Sequence, residues 1–288
     1  MTSSVVGRFA PSPTGPLHFG SLVAAVGSYL NAKAQGGRWL VRIDDLDPPR
    51  EVDGAADQIL AALEKLSLEW DGSVLYQSQR HAAYNEAIDA LARDGKVFYC
   101  NCTRRSLGTG PYPGTCRELA LEPAEGRSIR VIVNDDLVTV NDLVQEPVNV
   151  RLSETSGDFI IRRRDGLFAY HLAAVIDDAA SGVTEVIRGA DLLSSTPQQV
   201  YLQQLLGFSR PVYGHLPVAR DRQGNKLSKQ TGADAIDPRN APALMSQALE
   251  FLGFRLPREV AGSLPREQLA WARSEWQLSK LPKTVAPA

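Results

Sequence analysis

Apolar positions along the chain change their spacing several times, and each change marks an element. Residues 5–9 read as a short buried strand, broken by Pro11, Pro13, Gly15 and Pro16. Residues 17–34 carry helical spacing, and Gly36-Gly37 ends them. Residues 39–43 form a second strand running into Asp44-Asp45-Leu46-Asp47, and Pro48-Pro49 stops it. Helical periodicity returns over 51–66 and 80–94, and residues 97–99 make a third strand. Strand–helix alternation of this kind predicts an open, mostly parallel α/β sheet, Rossmann-like, with helices on both faces.

The rhythm then changes. Residues 100–164 hold turn residues and short alternating runs, 129–133 and 158–162 among them, which predicts a mainly β insertion. The α/β rhythm resumes with a helix over 172–180, a strand over 183–187 and a helix over 196–206 that has Pro197 near its start. Short helices follow at 243–251 and 268–276, then a loose tail. The expected organisation is a first half of a nucleotide-binding α/β domain (1–99), an inserted subdomain (100–165), a second half (166–240) and a short helical C-terminal part (241–288).

Composition adds limits. The chain has 288 residues, 43% of them hydrophobic, enough to bury a sizeable core. A net charge of -2 is unlike a dedicated nucleic-acid binder, so any RNA contact must rest on a local patch. Arg104-Arg105, Arg162-Arg163-Arg164 and the group Arg255, Arg258, Lys280 and Lys283 are candidates, and for any one of them solvated surface charge is the favoured reading. No apolar run is long enough to span a bilayer, and the first residues lack the pattern of a signal peptide, so a cytoplasmic protein is expected.

Two short stretches carry candidate chemistry. In the first, Arg8-Phe9-Ala10-Pro11-Ser12-Pro13-Thr14-Gly15-Pro16-Leu17-His18-Phe19-Gly20-Ser21, a strand turns through prolines into a helix start. Backbone N–H groups and the positive dipole end there suit phosphate. Gly20 allows close approach of a nucleotide, and His18 and Ser21 can donate to phosphate oxygens. The second stretch, Lys226-Leu227-Ser228-Lys229-Gln230, follows a turn-rich segment. Its lysines can close on a triphosphate, or simply sit in solvent. Neither stretch is a Gly-x-x-x-x-Gly-Lys-Ser/Thr loop, and the glycines of 108–114 do not fit the dinucleotide fingerprint. All three cysteines, Cys100, Cys102 and Cys116, lie within seventeen residues, a spacing that fits either a structural zinc site or three reduced core thiols.

The two stretches together resemble the paired signature motifs of class I aminoacyl-tRNA synthetases. More narrowly, the first is similar to the start of glutamyl-tRNA synthetases, as are Val41-Arg42-Ile43-Asp44-Asp45-Leu46-Asp47-Pro48-Pro49-Arg50 and Val186-Ile187-Arg188-Gly189-Ala190-Asp191-Leu192-Leu193-Ser194-Ser195-Thr196-Pro197-Gln198-Gln199. Ser21 replaces the second histidine of the first motif, and Gln230 replaces the closing serine of the second. The chain stops about sixty residues after Lys229, with no anticodon-binding region of the full-length enzymes. The short relatives without that region are the glutamyl-queuosine tRNA(Asp) synthetases, and this family is the expected one.

The resemblance implies specific roles. Arg8, Ala10, Ser12, Asp44, Tyr170 and Arg188 match glutamate contacts, with Asp44 on the α-ammonium in place of the usual Glu, and Arg188 on the side-chain carboxylate. Arg8 and Arg188 together suit a carboxylate rather than an amide. His18, Gly20, Ser21, Lys226, Ser228 and Lys229 match ATP contacts, with His18 and Lys229 bearing on phosphate charge and magnesium accompanying ATP. The family places a tyrosine as fourth zinc ligand where Tyr112 stands; Glu118 and water compete for that place. The implied reaction is tRNA-independent activation of L-glutamate, followed by transfer to queuosine in tRNA(Asp), by a monomer. The rivals are a truncated glutamyl-tRNA synthetase charging the end of tRNA(Glu), a different nucleotidyltransferase, and a silent paralogue that binds RNA.

Overall fold

Prolines and glycines decide where the first elements stop, and pairing of the strands between them builds the sheet. The computed structural model describes residues 4–103, 105–218 and 235–283. β1 (Val6–Phe9) leads through the proline loop into α1 (Phe19–Ala34), and β2 (Arg38–Ile43) returns parallel to β1 with Val6 opposite Arg38. After α2 (Ala55–Lys65), β3 (Leu75–Tyr76) pairs in parallel with the end of β2. α3 (His81–Arg93) is followed by β4 (Val97–Cys100), β5 (Ser128–Val131), β6 (Leu137–Val140), β7 (Val148–Arg151), the single turn α4 (Leu152–Thr155) and β8 (Ile160–Arg162). These strands make two antiparallel sheets, ordered β4-β5-β8 and β6-β7.

The chain then forms α5 (Tyr170–Ala180), β9 (Glu185–Gly189), α6 (Thr196–Leu205) and β10 (Val212–Leu216), with β10 parallel to β9. Thr184 N–H donates to Val6 O and Val6 N–H to the Thr184 hydroxyl, which seats the start of β9 beside β1. α7 (Ala241–Phe251) and α8 (Pro265–Glu275) follow.

Burial explains the layering. Phe9, Trp39, Val41 and Ile43 face one core, shared with α1, α7 and α8 through Leu22, Val26, Met245, Leu249 and Leu269. Val6 and Val186 face a second core with Tyr84, Leu172 and Tyr201, and this one runs on into Ile129, Val131 and Ile161 of the antiparallel strands. Strands covered on both faces are the usual state of a parallel sheet. No described helix is long and apolar enough to cross a membrane.

One expectation is corrected. Residues 97–99 do form a strand, but β4 pairs antiparallel with β5 and is no part of the parallel sheet. Gly95, with φ 63°, turns the chain at the end of α3, and Ile132 N–H then bonds to Lys96 O. The third parallel strand is β3, two residues long and too short to show a period. The helix expected from residue 51 starts at Ala55, because Pro48–Arg50 winds into a 3-10 turn and Gly54 (φ 73°) precedes the first helical residue. The strands β6, β7 and β10 are additions to the sequence reading.

The turn from α1 into β2 is tightly drawn. Gly37 N–H donates to Ala32 O, and a Cβ on Gly37 would stand 2.3 Å from Val5 O. Gly37→Ala must therefore part β1 from α1, at about 2 kcal/mol or more. Gly36→Ala meets open space and suffers only from its left-handed backbone, φ 67°, at about 1 kcal/mol. Urea unfolding of the two variants should give that order.

Candidate functional site

The candidate residues sit where strands end. Ala10 and Ser12 follow β1, Asp44 follows β2, Arg188 is next to last in β9, and Tyr170 opens α5. Ligands of open α/β sheets lie beyond such carboxyl ends. The proline loop after β1 is fastened to its neighbour, since Asp44 N–H donates to Pro11 O and Val52 N–H to Pro13 O.

His18 is the N-cap of α1. Its Nδ1 accepts from Ser21 N–H at 3.3 Å, so Nε2 holds the proton and donates to Ser21 Oγ at 2.9 Å. The imidazole thus closes on the first turn of its own helix, which also contains Gly20. The backbone at Ala235 bridges His18, and Ile236 N–H donates to Leu17 O. Upstream, Leu216 ends β10 and packs at Gly27 of α1. Both flanks of the second motif are therefore pinned to α1, while Lys226, Ser228 and Lys229 themselves lie outside the described residues.

Arg8 and Arg42 point from neighbouring strands into one buried cluster of charge. Asp178 of α5 receives Arg8 Nε at 3.2 Å and Arg42 Nη1 at 2.6 Å, while Arg42 Nε donates to Asp44 at 2.6 Å. Burial works against charge on Asp178, but the two guanidiniums outweigh it and hold its carboxyl below the ordinary value. At Asp44 burial wins over Arg42 and the carboxyl is raised. The residue before Asp178, Asp177, is also buried and accepts from Gln77, Arg80 and Tyr84. Arg8 is thus neutralised inside the protein, and Asp44 already holds a cation. The sequence reading missed Asp178, which nothing in a run of Ile176-Asp177-Asp178-Ala179 sets apart.

Arg188 is held differently. Only 5% exposed, its guanidinium donates to Tyr170 Oη at 3.0 Å, Thr196 Oγ1 at 2.8 Å, Leu192 O at 3.5 Å and His215 Nε2 at 3.1 Å. Among the described residues every acceptor on it is neutral. Two imidazoles lie close by. Burial, with Arg188 adding to it, pulls His171 down to about 4, and burial also lowers His215 against the pull of Asp142. Both are uncharged at neutral pH, so Arg188 carries a nearly dry positive charge beside a phenol. Tyr170 and Arg188, expected together, are together; Arg8 is bound elsewhere, to Asp178. His215 and Asp142 were not foreseen, because the turn Asn141-Asp142 between two strands looks like any polar hairpin loop.

The cysteines converge. The Sγ atoms of Cys100, Cys102 and Cys116 all lie within 4.8 Å of one another, with Cys102 and Cys116 3.6 Å apart. Thiolates tetrahedrally bound at ≈ 2.3 Å would stand roughly 3.8 Å apart, so the cluster has the dimensions for a metal ion. Tyr112 Oη joins it, 3.4 Å from Cys100 Sγ and 3.8 Å from Cys102 Sγ, whereas Glu118 is not in the cluster. Arg130 donates to Cys100 Sγ at 3.3 Å and lies 3.9 Å over the Tyr112 ring. Burial pushes the Cys100 thiol up, but the bonds from Tyr112 and Arg130 prevail and hold it at about 7. The thiolate form is therefore accessible near neutrality.

The Asp178 cluster has a pH signature. A carboxyl whose folded value is depressed contributes stability that is complete above its unfolded value, near 3.9, and lost as pH falls through the folded value. Asp178→Asn should cost about 3–5 kcal/mol at neutral pH. The variant should lose less further stability than the parent between about pH 5 and pH 2, by urea titration at each pH.

Comparison with known proteins gives the family. The family "tRNA synthetases class I (E and Q), catalytic domain" matches residues 4–110 and 117–241. The glutamyl-Q tRNA(Asp) synthetase of Vibrio cholerae is 49% identical over 282 residues, covering 97% of this chain and 93% of its own. That of Thiobacillus denitrificans is 50% identical over 288 residues, covering 97% and 96%. A crystal structure of a glutamate tRNA ligase from Elizabethkingia meningosepticum in complex with its amino acid has the same fold, with a TM-score of 0.81 over 99% of this chain and 68% of that one at 24% identity. The chain belongs to the class I synthetase family for glutamate and glutamine, and within it to the glutamyl-Q tRNA(Asp) synthetases.

Proposed function

We propose that the protein activates L-glutamate with ATP, without tRNA, and transfers it to the queuosine of tRNA(Asp). The observation that carries the glutamate part is Arg188, a buried guanidinium whose described partners are all neutral acceptors. A buried charge without a counter-ion is costly, and an incoming carboxylate relieves it. An amide there would set donors against donors. Tyr170 shares the guanidinium and would flank the same carboxylate. Ala10, Ser12 and Asp44 lie at neighbouring strand ends and would hold the amino acid's other groups; Arg42 on Asp44 would be shared with, or yield to, the α-ammonium.

ATP would bind across the start of α1, at His18, Gly20 and Ser21, with Lys226, Ser228 and Lys229 closing from the second motif. This is the nucleotide site of a Rossmann-like sheet, and magnesium would come with ATP. A glutamate α-carboxylate oxygen attacks the α-phosphorus, the bond from that phosphorus to the α,β-bridging oxygen breaks, and pyrophosphate leaves. The protein supplies position and charge neutralisation rather than a nucleophile. A queuosine hydroxyl then attacks the acyl carbon and AMP departs. The protein works as a cytoplasmic monomer, and its three thiols with Tyr112 hold one structural zinc. Zinc there would join segments 100–102 and 112–116 into one rigid unit.

Purified protein should catalyse glutamate-dependent ATP–pyrophosphate exchange with no RNA present, and Lys229→Ala should reduce it by about a hundredfold or more. Labelled glutamate should pass to queuosine-containing tRNA(Asp), not to the same tRNA lacking queuosine. Labelling of tRNA(Glu) instead would mean a shortened glutamyl-tRNA synthetase, and no exchange would end the proposal. Elemental analysis should find roughly one zinc per chain, lost in Cys102→Ser, with the melting temperature falling as a chelator removes the metal.

A further inference from the structure

The hairpin between β6 and β7 reaches the amino-acid pocket. Its turn docks on β10: Asp142 bridges Tyr213, Leu143 N–H donates to Tyr213 O, and Gln145 Nε2 donates to His215 O at 2.6 Å. The side chains of Asp142 and His215 are both fully buried and meet, Asp142 Oδ2 to His215 Nδ1 at 2.5 Å. On the far side of the ring, His215 Nε2 meets Arg188 Nε at 3.1 Å and Thr196 Oγ1 at 3.1 Å.

Donor chemistry fixes the tautomer. A guanidinium Nε–H can only donate, so His215 Nε2 must be the bare nitrogen and Nδ1 must hold the proton, aimed at Asp142. We infer that Asp142 and His215 are positioning residues for glutamate: Asp142 locks the imidazole in its Nδ1–H form, and the bare Nε2 orients the Arg188 guanidinium toward the substrate carboxylate. The inference rests on the reading of Arg188 as the carboxylate contact. The relay also sets a negative charge one ring away from Arg188, which tempers the buried cation without occupying the N–H groups a substrate would use.

The geometry supplies a variant that breaks the relay and little else. Three backbone N–H groups converge on the other oxygen of Asp142: those of Val144 at 2.9 Å, Gln145 at 2.8 Å and His215 at 3.0 Å. In Asp142→Asn the amide oxygen must stay with those three donors. Its NH2 then faces His215 Nδ1, which has to become the acceptor, and the proton moves to Nε2. There it opposes Arg188 Nε–H, donor against donor. The hairpin turn keeps its bonds while the guanidinium loses its guide.

The test has two independent arms. In the first, long-range proton–nitrogen correlation spectra of the four imidazoles, assigned by single-histidine substitutions, should show His215 protonated at Nδ1 in the parent protein and at Nε2 in Asp142→Asn. In the second, pyrophosphate exchange should show KM for glutamate raised about tenfold or more in Asp142→Asn, with KM for ATP moved by less than about twofold. A parent His215 bare at Nδ1, or an unchanged KM for glutamate, would overturn the inference while leaving glutamate activation intact. Correct tautomers in a parent that shows no glutamate-dependent exchange would instead remove the substrate reading and leave the lock standing. A purely structural role for Asp142 would lower stability or shift both KM values together, and that result would also overturn it.

Discussion

Among the described residues the buried guanidinium of Arg188 has no carboxylate as partner, and that constraint organises the elements around it. Four acceptors among the described residues meet the N–H groups of Arg188: a phenol on α5, a hydroxyl and a carbonyl around the start of α6, and a ring on β10. Each of those elements must hold its place for the others to be satisfied. The contrast with Arg8 and Arg42 is instructive. They have the same charge and similar burial, yet Asp178 and Asp44 neutralise them, so they stabilise the join between the sheet and α5. Arg8 and Arg42 are thus paired with carboxylates, while Arg188 is held, among the described residues, by neutral groups.

In the first motif His18 caps its own helix, and its ring is already oriented by Ser21. Pre-orientation of this kind lowers the cost of binding, since less rotamer freedom remains to be lost. The bridge from His18 to Ala235 ties that cap to the chain leaving the second motif, so two stretches more than two hundred residues apart share a backbone contact.

How far the sequence revealed this depends on the range of each interaction. Helices α1, α3, α5 and α6 were legible because their apolar spacing is local, and the strands β1, β2 and β9 because they are short apolar runs between breakers. The place of β4 was not, since pairing direction depends on where α3 and its glycine aim the chain, which no periodicity encodes. Arg188 with Tyr170 was legible through resemblance alone. Asp142 and His215 were not, being 73 residues apart and ordinary in their local setting. Asp178 was hidden for the same reason: a carboxylate in a helix says nothing of the two strands it will meet.

The hairpin turn at Asp142 also guards β10. Among the described residues that strand pairs with β9 on one side, and on the other its backbone is met by Asp142, Leu143 and Gln145. An uncovered strand edge is a template for strand addition by another molecule. Shortening the turn would therefore strip those bonds from the backbone of β10 and bare the kind of edge on which self-association begins.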